Sequence, residues 1–155
     1  MAGKRFPGFG KPALAFLAEL SQNNNRDWFN TNKARYESDV LDPALAFIHA
    51  MQEPLAEIAP HFVAQATRVG GSLMRIYRDT RFSKEKTPYK TNIGIQFRHE
   101  QAKDVHSPGF YVHVDPQQVF FGVGMWRPDA EPLQSIRARI AARPAQWSSG
   151  WRTPR

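Results

Sequence analysis

The chain has 155 residues, 41% of them hydrophobic and 23% charged, with a net charge of +7 and an isoelectric point near 10.1. That length suits one globular domain with a real core, and the absence of cysteine excludes disulfides and thiolate chemistry. No apolar run approaches a membrane span, and the basic start "MAGKRFPGFG" is followed by no apolar signal core, so a cytoplasmic protein without a membrane partner is expected.

Pro12 stands where a first helical turn tolerates it, and Ala13, Phe16, Leu17 and Leu20 repeat at helical spacing. "SQNNN" ends that helix. Asn25 is placed to cap a second, with Trp28, Phe29, Asn32, Tyr36 and Val40 along one side. Asp42-Pro43 opens a third, whose stripe is Phe47, Ile48, Met51, Leu55 and Ile58, with a kink expected at Pro54. The period changes after Gly70-Gly71. Leu73–Arg78 reads as a strand, and Ile93, Ile95 and Phe97 alternate with polar residues or glycine. Phe110, Val112 and Val114 alternate next, "DPQQ" turns the chain, and Val119, Phe121, Val123 and Met125 complete a hairpin. Phe97, Val112, Phe121 and Val123 are expected to be buried, with Gln96, Arg98 and His113 more exposed. A last helix follows Asp129, with Leu133, Ile136 and Ile140 turned inward. The predicted class is α+β: N-terminal helices, then an antiparallel sheet, then a C-terminal helix.

The charge is not spread evenly. Residues 137–155 hold five arginines and no acid, leaving residues 1–136 at +2. Arg75–Lys90 holds six cations against Asp79 and Glu85, a second patch inside "RIYRDTRFSKEKTPYK". If residues 73–81 are extended, Arg75, Tyr77, Asp79 and Arg81 share a face, and Asp79 can orient guanidiniums for an anionic third party. Beyond Phe82, Ser83, Lys84, Lys86 and Thr87 are donors, Pro88 stiffens the loop, and Lys90 leads into the next strand. Arg75, Arg78, Arg81, Ser83, Lys84, Lys86, Tyr89 and Lys90 are therefore the expected ligands of an anionic, phosphorylated small molecule. Asp79 is the candidate catalytic residue, as general base, with Lys86 or Lys90 stabilising developing charge.

A secondary candidate is "NNNRDWFNTNKARY", where Asn24, Arg26 and Lys33 surround a helix start; capping with an aromatic anchor is the plainer reading of that stretch. His99, His106 and His113 are evenly spaced without a carboxylate at ligand-like spacing, so no metal is expected. There is no phosphate-binding glycine loop, dinucleotide fingerprint or nucleophile elbow, and no cofactor is expected. Two rivals to the anion site stand beside it. One is a non-catalytic nucleic-acid-associated module that uses the same patch plus the basic tail. The other is a structural domain whose motif is an internal salt-bridge network.

The segments "FLAELSQNNNRDWFNTNKARYESDVLDPALAF", "RIYRDTRFSKEKTPYKTNIGIQF", "GFYVHVDPQQVFFGVGMW" and "IRARI" resemble the family of conserved hypothetical proteins called domain of unknown function 2461 (DUF2461). The resemblance covers residues 6 to about 143 and implies an intracellular α+β domain without implying a reaction. The family's pattern continues with further mixed α/β sequence where this chain reads "PAQWSSGWRTPR". Residues 6–143 are accordingly expected to form one α+β domain, a partial version of the family's. Residues 144–155 are expected to be a disordered or atypical tail, because Trp147 and Trp151 follow no period and Pro144 and Pro154 oppose a helix. An uncovered edge or face of the sheet is the expected consequence.

Overall fold

The computed structural model describes residues 6–81, 84–102 and 107–150. Helix α1 (Lys11–Gln22) buries Ala13, Phe16, Leu17 and Leu20, the predicted stripe. Helix α2 (Arg26–Thr31) starts at Asn25, whose side-chain oxygen accepts the Trp28 amide at 2.9 Å. Helix α3 (Lys33–Tyr36) passes through a π-helical turn at Glu37–Leu41 into α4 (Asp42–Ala50), so the second and third predicted helices join into one path. Pro43 has no amide to give the carbonyl of Asp39, and the ladder widens there. The same chemistry acts one step on. Pro54 cannot donate to Ala50, and the helix breaks at Met51 before resuming as α5 (Gln52–Ile58).

Residues 61–81 and 84–100 form one long interrupted hairpin. At its base, β1 (Phe62–Val63) pairs with the end of β2 (Ile93–His99), Phe62 opposite His99 and Val63 opposite Arg98. The outgoing arm then leaves the sheet over residues 64–71. It returns where the Gln96 amide donates to the Ser72 carbonyl at 2.8 Å and the Met74 amide to the Gly94 carbonyl at 2.9 Å. Further out, Tyr77 faces Tyr89, the Lys90 amide donates to the Ile76 carbonyl at 2.7 Å, and the Arg78 amide to the Pro88 carbonyl at 2.9 Å. Predicted strand Leu73–Arg78 is thus an extended arm held by two isolated bridges, Leu73 to Ile95 and Tyr77 to Tyr89. Between those bridges Arg75 alone opposes Thr91–Ile93, a bulge that interrupts the ladder. Residues 79–81 and 84–87 belong to the hairpin tip.

Strand β3 (Gly109–Val114) and β4 (Val119–Gly124) complete a four-stranded antiparallel sheet in the order β1-β2-β3-β4. Ile93, Ile95, Phe97 and Val114 face the helices, with Phe47 of α4 packing 6.4 Å from Phe97 between ring centres. The order of elements is α+β, as the periodicity indicated.

Three expectations about the far end of the sheet are corrected. Phe121 and Val123 share the core-facing side of β4 but remain 60% and 69% exposed, because β4 is an edge strand at the margin of the buried core. Helix α6 (Ala130–Ala142) has no buried residue, and Ile136 is 41% exposed rather than inward. Pro144–Gly150 forms a short helix, α7, where no helix was expected. Pro144 stands at its first position, where a missing amide costs nothing. Trp151, Pro154 and the rest of the tail lie outside the described residues. Among those that are described, no helix is long and apolar enough to cross a membrane.

Candidate anion-binding site

The hairpin's two irregularities create a cleft of about 510 Å³. One wall is the excursion at 69–71, and the other is the face of the arm that carries Arg75, Tyr77 and Asp79, with Lys90 from the returning arm and Gln96 and Arg98 from β2. The excursion is pinned at its base. The buried Ser72 hydroxyl accepts from the Gln65 amide at 3.0 Å and donates to the Val63 carbonyl at 3.2 Å, while the Ser72 amide donates to the Gln65 carbonyl at 2.9 Å. A Cβ on Gly71 would strike Thr67 and the Gln65 carbonyl, so only glycine closes this turn.

The arm's alternation places Arg75, Tyr77 and Asp79 on the cleft and Ile76 in the core. Arg98 reaches the cleft from β2, where Gly109 of β3 opposes it on one side and Val63 of β1 on the other. The Lys90 ammonium is half-buried. Burial first, and then the Arg75 and Arg78 guanidiniums, hold it below the usual lysine range. Among the described residues, no carboxylate lies within ion-pair distance of Arg75, Lys90 or Arg98.

The remaining cations of the motif are engaged elsewhere. Asp79 receives Arg81 through both carboxylate oxygens, Nε to Oδ1 at 3.0 Å and Nη2 to Oδ2 at 2.7 Å, plus the Arg81 amide at 3.2 Å. These hydrogen bonds hold the Asp79 carboxyl at a pKa of about 2, too low for an effective proton acceptor near neutral pH. Asp79 therefore orients Arg81. Arg78 is ion-paired to Glu85, whose other oxygen accepts the Thr87 hydroxyl at 2.8 Å. Lys86 donates to the Thr80 carbonyl at 2.9 Å across the hairpin tip. Lys84 is exposed and does not line the cleft. Ser83 and Phe82 lie outside the described residues.

Of the expected ligands, the cleft thus gathers Arg75 and Lys90. Arg78 acts electrostatically on Lys90, whereas Arg81, Lys84 and Lys86 do not line it. Tyr89 is buried, its ring stacked on Phe29 at 4.1 Å, and serves the core. Asn24 has a structural part: its amide donates to the Tyr89 carbonyl at 2.9 Å and accepts the Tyr89 amide at 3.0 Å. Arg26 acts electrostatically on Tyr89, and neither Arg26 nor the exposed Lys33 lines the cleft. Gln96 and Arg98 were missed as site residues, because the alternation of β2 marks them as outward-facing without saying what they face.

A second polar cluster sits on the same sheet face. His113 Nε2 lies 2.7 Å from Asp115 Oδ2, and its Nδ1 faces the Tyr111 hydroxyl at 3.2 Å and the Asn92 amide at 3.4 Å. Phe120 stacks on the imidazole at 4.7 Å, so the side chain is only 15% exposed, against the expectation of an open position. Burial alone would push the Asp115 carboxyl up. Hydrogen bonds from His113 and from the Gln117 and Gln118 amides outweigh it and hold the group low. The cluster staples the β3–β4 turn. Among the described residues no group of three or more acidic or histidine side chains is placed to hold a metal ion.

A family model described as "Conserved hypothetical protein (DUF2461)" matches residues 12–154. No curated protein and no solved structure matches the chain.

Proposed function

The chain belongs to the DUF2461 family, and we propose that it binds an anionic, phosphorylated ligand in the cleft between the hairpin arm and β2. The observation that carries this reading is that Arg75, Lys90 and Arg98 line one cleft from three parts of the chain with no carboxylate of the described residues within ion-pair distance of them, Asp79 on the same wall being bonded to Arg81. Charged donors brought together in this way repel one another, and an anion relieves the repulsion while accepting charge-assisted hydrogen bonds. Burial of Lys90 lowers the local dielectric and strengthens its attraction for an anion. The tip pairs Asp79–Arg81 and Arg78–Glu85 brace the arm on which Arg75 stands. No reaction is assigned: the Asp79 carboxyl, at a pKa of about 2, is held too low to accept a proton effectively near neutral pH.

Calorimetric titration with pyrophosphate tests the reading. Replacing Arg75, Lys90 or Arg98 by alanine is expected to weaken binding by about tenfold or more each, the range for a lost hydrogen bond to a charged group. Lys84→Ala is expected to leave it unchanged. Equal loss from Lys84→Ala, or none from the three cleft variants, would overturn the site. A nucleic-acid partner would be revealed by a steep fall of affinity with log salt, spread over the tip cations as well.

A further inference from the structure

The cleft is not lined by cations alone. Tyr77 lines it beside Arg75 while remaining 58% exposed, and Val69 on the facing excursion is 79% exposed. Behind the Tyr77 ring stand Tyr89 at 5.5 Å and Phe29 at 6.4 Å, which fix the ring against the hairpin and leave its outer side open. Along an extended arm, side chains two residues apart share a face and stand about 7 Å apart. Tyr77 therefore lies one such step from Arg75 and directly across from Tyr89, the neighbour of Lys90. A bare inorganic anion makes no use of an exposed aromatic ring and an exposed valine at its site. A phosphate ester carrying a planar ring uses both, and the cleft's size of about 510 Å³ lies within the range of small-ligand pockets.

We propose that the ligand is a mononucleotide, with its phosphate among Arg75, Lys90 and Arg98 and its base stacked on Tyr77 against Val69. This rests on the anion-binding reading above and adds the part of the ligand that is not the anion. A free mononucleotide is favoured over a single strand because the three cations Arg75, Lys90 and Arg98 meet in one cleft. A strand needs cations that track several successive phosphates, and here the tip cations Arg78 and Arg81 are tied to carboxylates.

Affinities of the full-length chain for AMP, ribose 5-phosphate, adenosine and a poly-uridine oligonucleotide, measured by calorimetry at fixed salt, decide it. AMP is expected to bind at least fivefold more tightly than ribose 5-phosphate, the lower end of what base stacking on an aromatic side chain contributes. Tyr77→Leu is expected to bring AMP down to the ribose 5-phosphate value, and Tyr77→Phe to leave it in place. Equal binding of AMP and ribose 5-phosphate by the unmodified chain overturns the inference with no variant required. An AMP preference that survives Tyr77→Leu also overturns it. Tighter binding of the oligonucleotide than of AMP, with a steep salt dependence, overturns it in favour of a strand. If ribose 5-phosphate binds and depends on Lys90, the anion-binding reading stands whichever way the base comparison falls. If neither phosphate binds, both fail.

Discussion

Asn24 is joined to the backbone of Tyr89 by two hydrogen bonds, one donated and one accepted, across 65 residues of sequence. Its side-chain amide thus completes the backbone pairing of the hairpin arm, and alanine in its place removes both bonds at once. A net hydrogen bond contributes about 1 kcal/mol, and a partly buried backbone group left without a partner costs about 1–3 kcal/mol. Asn24→Ala is therefore expected to cost roughly 2–4 kcal/mol. At this chain length 1 kcal/mol shifts the melting temperature by about 2–4 °C, so a drop of roughly 5–15 °C follows. Urea denaturation gives the free energy, and hydrogen exchange at the Tyr89 amide shows whether the loss is local. Because Lys90 is the next residue, affinity for pyrophosphate should fall as well. A variant within about 0.5 kcal/mol of the parent, the range of ordinary surface changes, with unchanged exchange at Tyr89, would refute the reasoning.

Lys90→Met should stabilise the fold at pH 7 while weakening anion binding by about tenfold or more. The folded state holds the Lys90 ammonium below its ordinary pKa, so the charged form penalises folding at neutral pH, and that penalty disappears as pH rises through the lysine range. Denaturation midpoints of the two proteins should converge above about pH 10.5, the unperturbed lysine value. For Asp79, an NMR titration of the carboxyl carbon should give a pKa of about 2, moving back toward 3.8 in Arg81→Ala. The pair's support for the fold is present above pH 3.8 and fades as pH falls toward about 2. Gly71→Ala should lose about 1–3 kcal/mol from overpacking against Thr67 and Gln65. Gly122→Ala, whose new methyl meets no atom within 4 Å, should be close to neutral in the same denaturation assay.

The helical half was largely legible, since the α1 stripe and the Asn25 cap depend on neighbours within one or two turns of the chain. The proline-induced breaks were displaced. Pro43 and Pro54 have no amide to donate to the carbonyls four residues earlier, so the disturbance appears before the proline. In the sheet, alternation told correctly which residues share a side, but not what lies opposite. Ile95 and Phe97 are buried in the core, whereas Phe121 and Val123, with the same pattern on the edge strand, stay exposed. The basic motif was legible as a concentration of donors and as a shared face for Arg75, Tyr77 and Asp79. Its sorting into tied and untied cations was not, because that depends on the excursion at 64–71 and on Arg98 arriving from a strand twenty residues on. His113 was misjudged for a related reason: Asp115 follows two residues later on the same side, a spacing that suits a strand contact and not a helical ligand pair.

The nesting of the hairpin arms, residues 61–81 and 84–100, bears on how the chain reaches this state. Its pairings run outward from the tip in order: residues 78 with 88, 76 with 90, 74 with 94, 72 with 96 and 63 with 98. Once the tip has closed, a loop of about ten residues that forms in roughly 10–100 ns, each later pairing adds only a short increment of chain. Because loop entropy grows by only about 0.6 kcal/mol per doubling, the steepest step is the first, and it falls on the segment richest in cations. Closing the tip crowds Arg78, Arg81, Lys84 and Lys86 together, and the opposed Asp79 and Glu85 offset that repulsion at the moment of closure. Neutralising both acids should therefore slow refolding more than it speeds unfolding, a difference that the two arms of a chevron plot separate.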